Sequence, residues 1–98
     1  MARFDVFKSK TGGYLLDCQA DILRHLNTRF CVPLMPQDEA PIAGERLNPE
    51  FHVAGQQVRM VTQFAAAVPV RELGANVDNL AEQHVTIVNA LDMLTTGY

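Results

Sequence analysis

The chain has 98 residues, 48% of them hydrophobic and 19% charged, with 8 basic and 11 acidic side chains and a formal net charge of −3. That length predicts one domain over 1–98, because chains divide only beyond about 250 residues, and scattered Lys and Arg in an acidic chain argue against free nucleic acid as main ligand. No 18-residue apolar window predicts a transmembrane helix, and MARFDVFKSK carries no hydrophobic signal segment, so a cytoplasmic protein without a membrane partner is expected. The charged fraction falls below the roughly 25% of an ordinary soluble domain, which points to apolar surface kept for another chain.

Arg3–Lys8 (RFDVFK) is predicted as a strand with one buried face, and Thr11-Gly12-Gly13 as the turn into a second strand, Tyr14–Gln19. Ala20–Asn27 reads as a single helical turn or a tight connection, with Asp21 as a possible cap. Arg29–Met35 is a third strand in which Pro33, lacking an amide hydrogen, demands an edge or a bulge. Pro36–Glu50 holds three prolines, one glycine and four acids, and is predicted as an excursion from the sheet with two short strands. Phe51–Val53 and Val58–Gln63 flank Gly55 as a hairpin. Ala65–Leu73 reads as an edge strand interrupted by Pro69, and Gly74 closes the β-rich part.

The remainder is predicted helical. Val77, Leu80, His84, Ile87, Val88, Leu91 and Leu94 recur at steps of three and four, one stripe of a helix running from Leu80 to Leu94 over roughly 22 Å. Asn79 and Glu82 have the spacing of a capping box, and Gly97 is placed to stop the helix in a left-handed conformation. Strands first and a helix last predict an α+β domain.

Chemistry-bearing patterns are few: no nucleophile elbow, phosphate-binding glycine loop or zinc-ligand spacing occurs, so no catalytic residue, metal or cofactor is assigned. Cys18 and Cys31 read as reduced core thiols, with a cross-strand disulfide as the alternative. His84 on the apolar stripe is expected to be a hydrogen-bonded core residue. His52, between Phe51 and Val53, is expected to face solvent or an interface, and His25 to lie on a surface. Asp38, Glu39, Glu45 and Glu50 are expected on a solvated loop face, and Arg71–Glu72 to form a charge pair. The tail NALDMLTTGY stays apolar through Leu91, Met93, Leu94 and Tyr98. It is either a docked terminal helix sealed by Tyr98 or a terminus presented to a partner.

The segments FDVFKSK, LLDCQADIL (Leu15–Leu23), LNTRFCVPL (Leu26–Leu34), VRMVTQ (Val58–Gln63), VPV (Val68–Val70) and IVNALDMLTTGY (Ile87–Tyr98) occur in one order over nearly the whole chain. In that order they resemble the CcdB family of plasmid and chromosomal toxins. The resemblance implies an SH3-like, strongly bent antiparallel sheet or partial barrel, a small side sheet supplied by Pro36–Glu50, and a long C-terminal helix, assembled as a homodimer. It implies a non-enzymatic toxin of a type II toxin–antitoxin system, tied to plasmid maintenance. Such a toxin binds the breakage-reunion domain of the DNA gyrase A subunit and traps gyrase on cleaved DNA, without direct nucleic-acid binding. A CcdA-like antitoxin is implied as partner, its disordered C-terminal segment folding around the toxin dimer.

Carried over by position, the resemblance assigns gyrase contacts to Ile22, Leu23, Asp92, Thr95, Thr96, Gly97 and Tyr98. The best-known family ending is Phe-Trp-Gly-Ile, so Thr96 replaces the tryptophan and Tyr98 the isoleucine; a threonine cannot stack on an arginine. This departure motivates, as one alternative, a family member that has lost or changed its gyrase target. The other comes from the related Kid and MazF toxins, which share the implied fold but cleave RNA. That chemistry needs an acid–base pair with cationic groups, for which Arg29, Arg59, His52 and Asp17 are the candidates.

Overall fold

Alternating apolar residues and a glycine turn build the first hairpin. In the computed structural model, which describes residues 1–97, β1 (Asp5–Ser9) pairs antiparallel with β2 (Tyr14–Asp17), with Val6 opposite Leu16 and Lys8 opposite Tyr14. Gly12 and Gly13 take φ of 104° and 73°, open to glycine without steric cost. Tyr98 lies outside the described residues.

The nine-residue β3 (Thr28–Pro36) is the spine of the sheet. One side pairs with β2, from Tyr14↔Leu34 to Asp17↔Cys31. The other side is shared: Thr28–Cys31 pair with β6 (Ala66–Pro69), and Leu34–Pro36 with β5 (Gln56–Met60). Pro33 falls in the gap between these two partners, where its carbonyl accepts Val61 N–H at 2.9 Å. Its missing donor therefore costs no ladder bond, and a central strand tolerates the proline that an edge or bulge was expected to house.

β4 (Glu50–Val53) and β5 form the expected hairpin around Ala54 and Gly55, both at positive φ, as a tight two-residue hairpin turn requires. This hairpin continues the sheet beyond the end of β3. The preceding residues 37–49 form turns and no strand, so the two short strands expected in the excursion are absent. The loop is instead pinned by Asn48, whose fully buried amide accepts from the N–H groups of Ala43 (2.7 Å) and Gly44 (3.3 Å). The same amide donates to the Met60 carbonyl (3.1 Å) and Gln63 Oε1 (2.7 Å).

Gly74 does not close the β-rich part. Leu73–Asn79 is a strand, β7, pairing with β1 from Asp5↔Asn79 to Ser9↔Leu73 with two register shifts. The order across the sheet is β4-β5-β3-β2-β1-β7, with β6 alongside β3. Strand β7 comes so close to β1 that a Cβ on Gly74 would lie 2.6 Å from the Lys8 carbonyl oxygen. Val77 thus belongs to the sheet and not to the helical stripe.

A 3₁₀ turn at Ala81–Gln83 leads into the helix α1, His84–Thr96. Asn79 Oδ1 does cap this entry, accepting Ala81 N–H at 2.8 Å, while no return bond from Glu82 is made among the described residues. Gly97 ends α1 at φ 81°, its N–H bonding the Met93 carbonyl at 3.2 Å. Because the helix starts later than expected, its buried positions are Ile87 and Ala90, and His84 is exposed rather than a core histidine. The core lies between α1 and the concave face of the curled sheet, where Val6, Leu16, Val32, Leu34, Val58, Met60 and Ile87 are all fully buried. The architecture is the expected α+β one: a curled antiparallel half-barrel with one C-terminal helix. No helix among the described residues is long and apolar enough to cross a membrane.

Both cysteines are free and buried. Alternation along β2 and β3 puts Cys31 on the face of Asp17 and Cys18 on the other, which leaves no cross-strand disulfide. Burial, reinforced by the charge of Asp17, pushes each thiol up to about 12.

Candidate functional site

The connection between β2 and β3 is where the sheet gives up an apolar pair to solvent. Asp21–Leu23 forms a 3₁₀ turn that buries none of its residues. Ile22 is 84% exposed and Leu23 42%, and Leu26 and Phe30 nearby are similarly open. Asp21 does not cap its own turn; its Oδ1 accepts the N–H of Arg3 at 2.8 Å, from a segment 18 residues away.

A second exposed group is the last turn of α1. Ile87 and Ala90 face the core and Leu91 is half-buried, but every residue from Asp92 to Gly97 is exposed, including Leu94 at the next position of the stripe. The helix outruns the sheet that it packs on. Thr95 and Thr96 turn their hydroxyls back onto the carbonyls of Leu91 (3.0 Å) and Asp92 (2.7 Å). With these donors used inside the helix, the two methyl groups are left for contact. No basic residue occupies the last turn, so the negative end of the helix dipole, joined by the Asp92 carboxylate, is not neutralised within the helix.

The structure brings Ile22 and Leu23 together in one turn and Asp92–Gly97 together in another, but does not join the two groups. The N-terminal segment ties the first group directly and, separately, the residues just ahead of α1. Arg3 N–H holds Asp21, while Arg3 and Phe4 carbonyls take Asn79 Nδ2 (3.3 Å) and Leu80 N–H (2.9 Å) just ahead of α1. The N-terminal segment thus holds both the Ile22 turn and the approach to α1, a 13-residue helix about 18 Å long. Asp5 belongs to this junction. Burial opposes its charge, but the Ala2 N–H and the amides of Asn79 and Asn76 hold its carboxyl below 3.8.

The four candidates for RNA cleavage fall into two separate sets. Asp17 and Arg29 are both fully buried. Arg29 Nε and Nη2 lie 2.7 and 2.6 Å from Asp17 Oδ2, and Asp17 Oδ1 accepts Gln19 N–H at 3.0 Å. Arg29 Nη1 has no partner among the described residues. Arg59 sits on the β4–β5 hairpin, donating to the Asn48 carbonyl at 2.7 Å and pairing with Glu50, while His52 is exposed on β4. His25, Asp38, Glu39 and Glu45 are exposed, and Arg71 and Glu72 form a weak surface pair at 3.8 Å. A shallow groove of about 520 Å³ between the β1–β2 turn and the end of β3 is lined by Lys8, Tyr14, Met35, Glu39 and Gln56, and by none of these candidates. No group of three His, Cys, Asp or Glu among the described residues is placed to hold a metal ion.

Local patterns did not expose the residues that hold the site. Arg3, Gln19 and Asn79 act through backbone groups far along the chain, and no spacing rule marks such partners. The buried Asp17–Arg29 pair had one available signal: a charge of each sign on two adjacent, otherwise apolar strands.

Solved structures share this fold, two of them toxins or nucleases by name. The Mycobacterium tuberculosis toxin MazF-mt6 superposes with a TM-score of 0.71 at 16% identity, covering 90% of each chain. An endoribonuclease from mycobacterial species gives 0.76 at 14% identity, over 97% of this chain and 90% of its own. The expectation that the chain is no enzyme is corrected by this likeness, since a protein of the same architecture is an endoribonuclease. The family itself is identified by sequence: the model described as CcdB protein matches residues 3–97, nearly the whole length, and the chain belongs to the CcdB family.

Proposed function

We propose that this protein is the toxin of a toxin–antitoxin pair and that it acts by binding the DNA gyrase A subunit and trapping gyrase on cleaved DNA. The observation that carries this reading is Ile22, an aliphatic side chain 84% exposed on a hydrogen-bonded turn, at the position where the family presents an apolar contact to gyrase. Leu23 extends that contact. Asp92, Thr95, Thr96 and Gly97 supply the second one from the exposed end of α1, with Tyr98 beyond it.

Two contact groups on separate elements of one protomer suit a homodimer, in which the helix end of one protomer approaches the turn of its twin. A CcdA-like antitoxin would cover the same cytoplasmic toxin and compete with gyrase. Thr96 in place of tryptophan removes a stacking contact. Hot-spot losses begin at about 2 kcal/mol, so affinity is expected to be at least ~30-fold below that of a tryptophan-bearing relative.

The test is a gyrase cleavage assay. Added protein should increase gyrase-mediated double-strand breaks, and deletion of Thr96–Tyr98 should abolish the effect while the protein stays folded. Breaks that persist after the deletion would overturn the site assignment. RNA cleavage is the second reading, favoured by the fold shared with an endoribonuclease. Sequence-specific cleavage of single-stranded RNA by the purified protein would establish it in place of the first. Normal growth on expression without antitoxin, with neither activity, would support a family member that has lost its toxin activity.

A further inference from the structure

We infer that Asp21 is a positioning residue of the proposed gyrase contact: it locks the turn carrying Ile22 and Leu23 before any partner arrives. The inference rests on the reading above. A three-residue 3₁₀ turn that buries nothing has no packing to keep it formed, and short segments without buried contacts open at little cost. This one is held by polar bonds from two sides. On the inside, Gln19 is only 8% exposed. Its Nε2 donates to the carbonyls of Leu23 (3.0 Å) and Thr28 (3.1 Å), and its Oε1 accepts Phe30 N–H at 3.0 Å. These bonds close the loop from its entry to its exit.

On the outside, the one side-chain bond from the turn to the rest of the chain among the described residues is Asp21 Oδ1 to Arg3 N–H, 2.8 Å. Arg3 is itself held by two contacts. Its Nε bonds the Cys18 carbonyl at 3.3 Å and its guanidinium lies 4.5 Å over the Phe4 ring. Phe4 holds φ at 70°, an outlier for a bulky residue, sustained by backbone bonds to Asp17 (2.6 Å) and Leu80 (2.9 Å). A strained segment clamped at both ends is a stiff anchor. Asp21 ties the exposed pair to it, so the ordering cost that a loose apolar loop meets on binding is met during folding instead.

The test is a double-mutant cycle read by affinity for the gyrase A subunit and by amide exchange. Asp21→Ala should weaken binding about tenfold, the scale of ordering one or two side chains at an interface. Asp21→Asn keeps an oxygen acceptor for Arg3 N–H and should bind within about twofold of the parent. In an Ile22→Ala, Leu23→Ala background, Asp21→Ala should change affinity by less than about twofold, because there is no longer an apolar pair to position; fully additive losses would mean that Asp21 makes its own contact and would overturn the inference. Exchange should rise about tenfold at the amides of Leu23, Arg24 and Leu26 in Asp21→Ala while Ile87–Leu91 are unchanged. If the parent protein does not bind gyrase, the functional reading fails by itself; unchanged protection of Leu23, Arg24 and Leu26 then still overturns the role of Asp21, and raised exchange still supports it.

Discussion

Replacing Asp17 by alanine asks whether the Asp17–Arg29 pair is a structural element or part of a catalytic site. Both side chains are fully buried, with Arg29 Nε and Nη2 at 2.7 and 2.6 Å from one carboxylate oxygen. Removing the carboxylate leaves a guanidinium uncompensated in the interior, and Nη1 already lacks a partner. Breaking such a pair costs about 3–5 kcal/mol. In a chain of this size even 3 kcal/mol corresponds to a Tm lower by about 12–24 °C, or a urea midpoint lower by about 1–3 M. The double replacement Asp17→Leu with Arg29→Met removes both charges. It should fall within about 1–2 kcal/mol of the parent, the remaining loss being the Asp17 Oδ1 bond to Gln19 N–H. Urea and thermal unfolding at one fixed protein concentration measure all three proteins, since self-association moves Tm with concentration. A loss of less than about 1 kcal/mol in Asp17→Ala would refute the reasoning, and a folded Asp17→Ala that has lost an RNA-cleaving activity would return the pair to the ribonuclease reading.

Three further perturbations probe other parts of the fold. Asn48→Ala deletes two bonds accepted from Ala43 and Gly44 and two donated to Met60 and Gln63, and should cost about 2–4 kcal/mol in urea unfolding while making the 37–47 loop sensitive to protease. Gly74→Ala drives a methyl group to 2.6 Å from a backbone oxygen of β1 and should lose about 1–3 kcal/mol; an unchanged Tm would show that the two strands part freely. The cysteines should be silent to a thiol reagent at pH 8 and both report once urea unfolds the chain. Burial keeps each thiol protonated to about 12, against 9.0 for a free thiol, so unfolding releases protons above pH 9. The stabilisation is complete below pH 9 and declines as pH rises from 9 to 12, and a stability flat across that window would contradict the burial.

Elements whose instructions are local were legible in the amino-acid order. The β1–β2 hairpin follows from alternation plus two glycines, the β4–β5 hairpin from the turn at Gly55, and the helix stop from Gly97. Strand β7 was not legible: Asn76, Asp78 and Asn79 disfavour a strand, and pairing with β1 overrides them. Reading Val77 and Leu80 into the helical stripe then drew the helix start too early and buried His84 on paper. Pro33 misled in the opposite direction, since a strand that changes partners along one side offers a gap that no single-strand rule foresees. For the site, Ile22 and Leu23 were reached only through the family resemblance, and what holds them was not legible at all, because Arg3, Gln19 and Asn79 meet their partners only in three dimensions.

The thin charge complement can be traced to particular side chains. Ile22, Leu23, Leu26, Phe30, Ile42, Phe64, Val85, Met93 and Leu94 are large, apolar and exposed in the single chain. Single exposed apolar residues are ordinary, but several together on one small body mark interaction surfaces. The proposed gyrase contacts account for Ile22 and Leu23, and the apolar neighbours Met93 and Leu94 share their exposed helix end. Phe64 lies on the turn after β5 and Ile42 in the loop of residues 37–49, elements outside the proposed contact, so one partner touching only the turn and the helix terminus would leave them in water. The proposed twin and antitoxin would supply the additional cover. Sedimentation of the isolated protein separates the contributions: a concentration-dependent dimer requires part of this surface for self-association, whereas a monomer at every concentration would leave the whole of it to other chains and remove the two-protomer route by which the Ile22 turn meets a helix end.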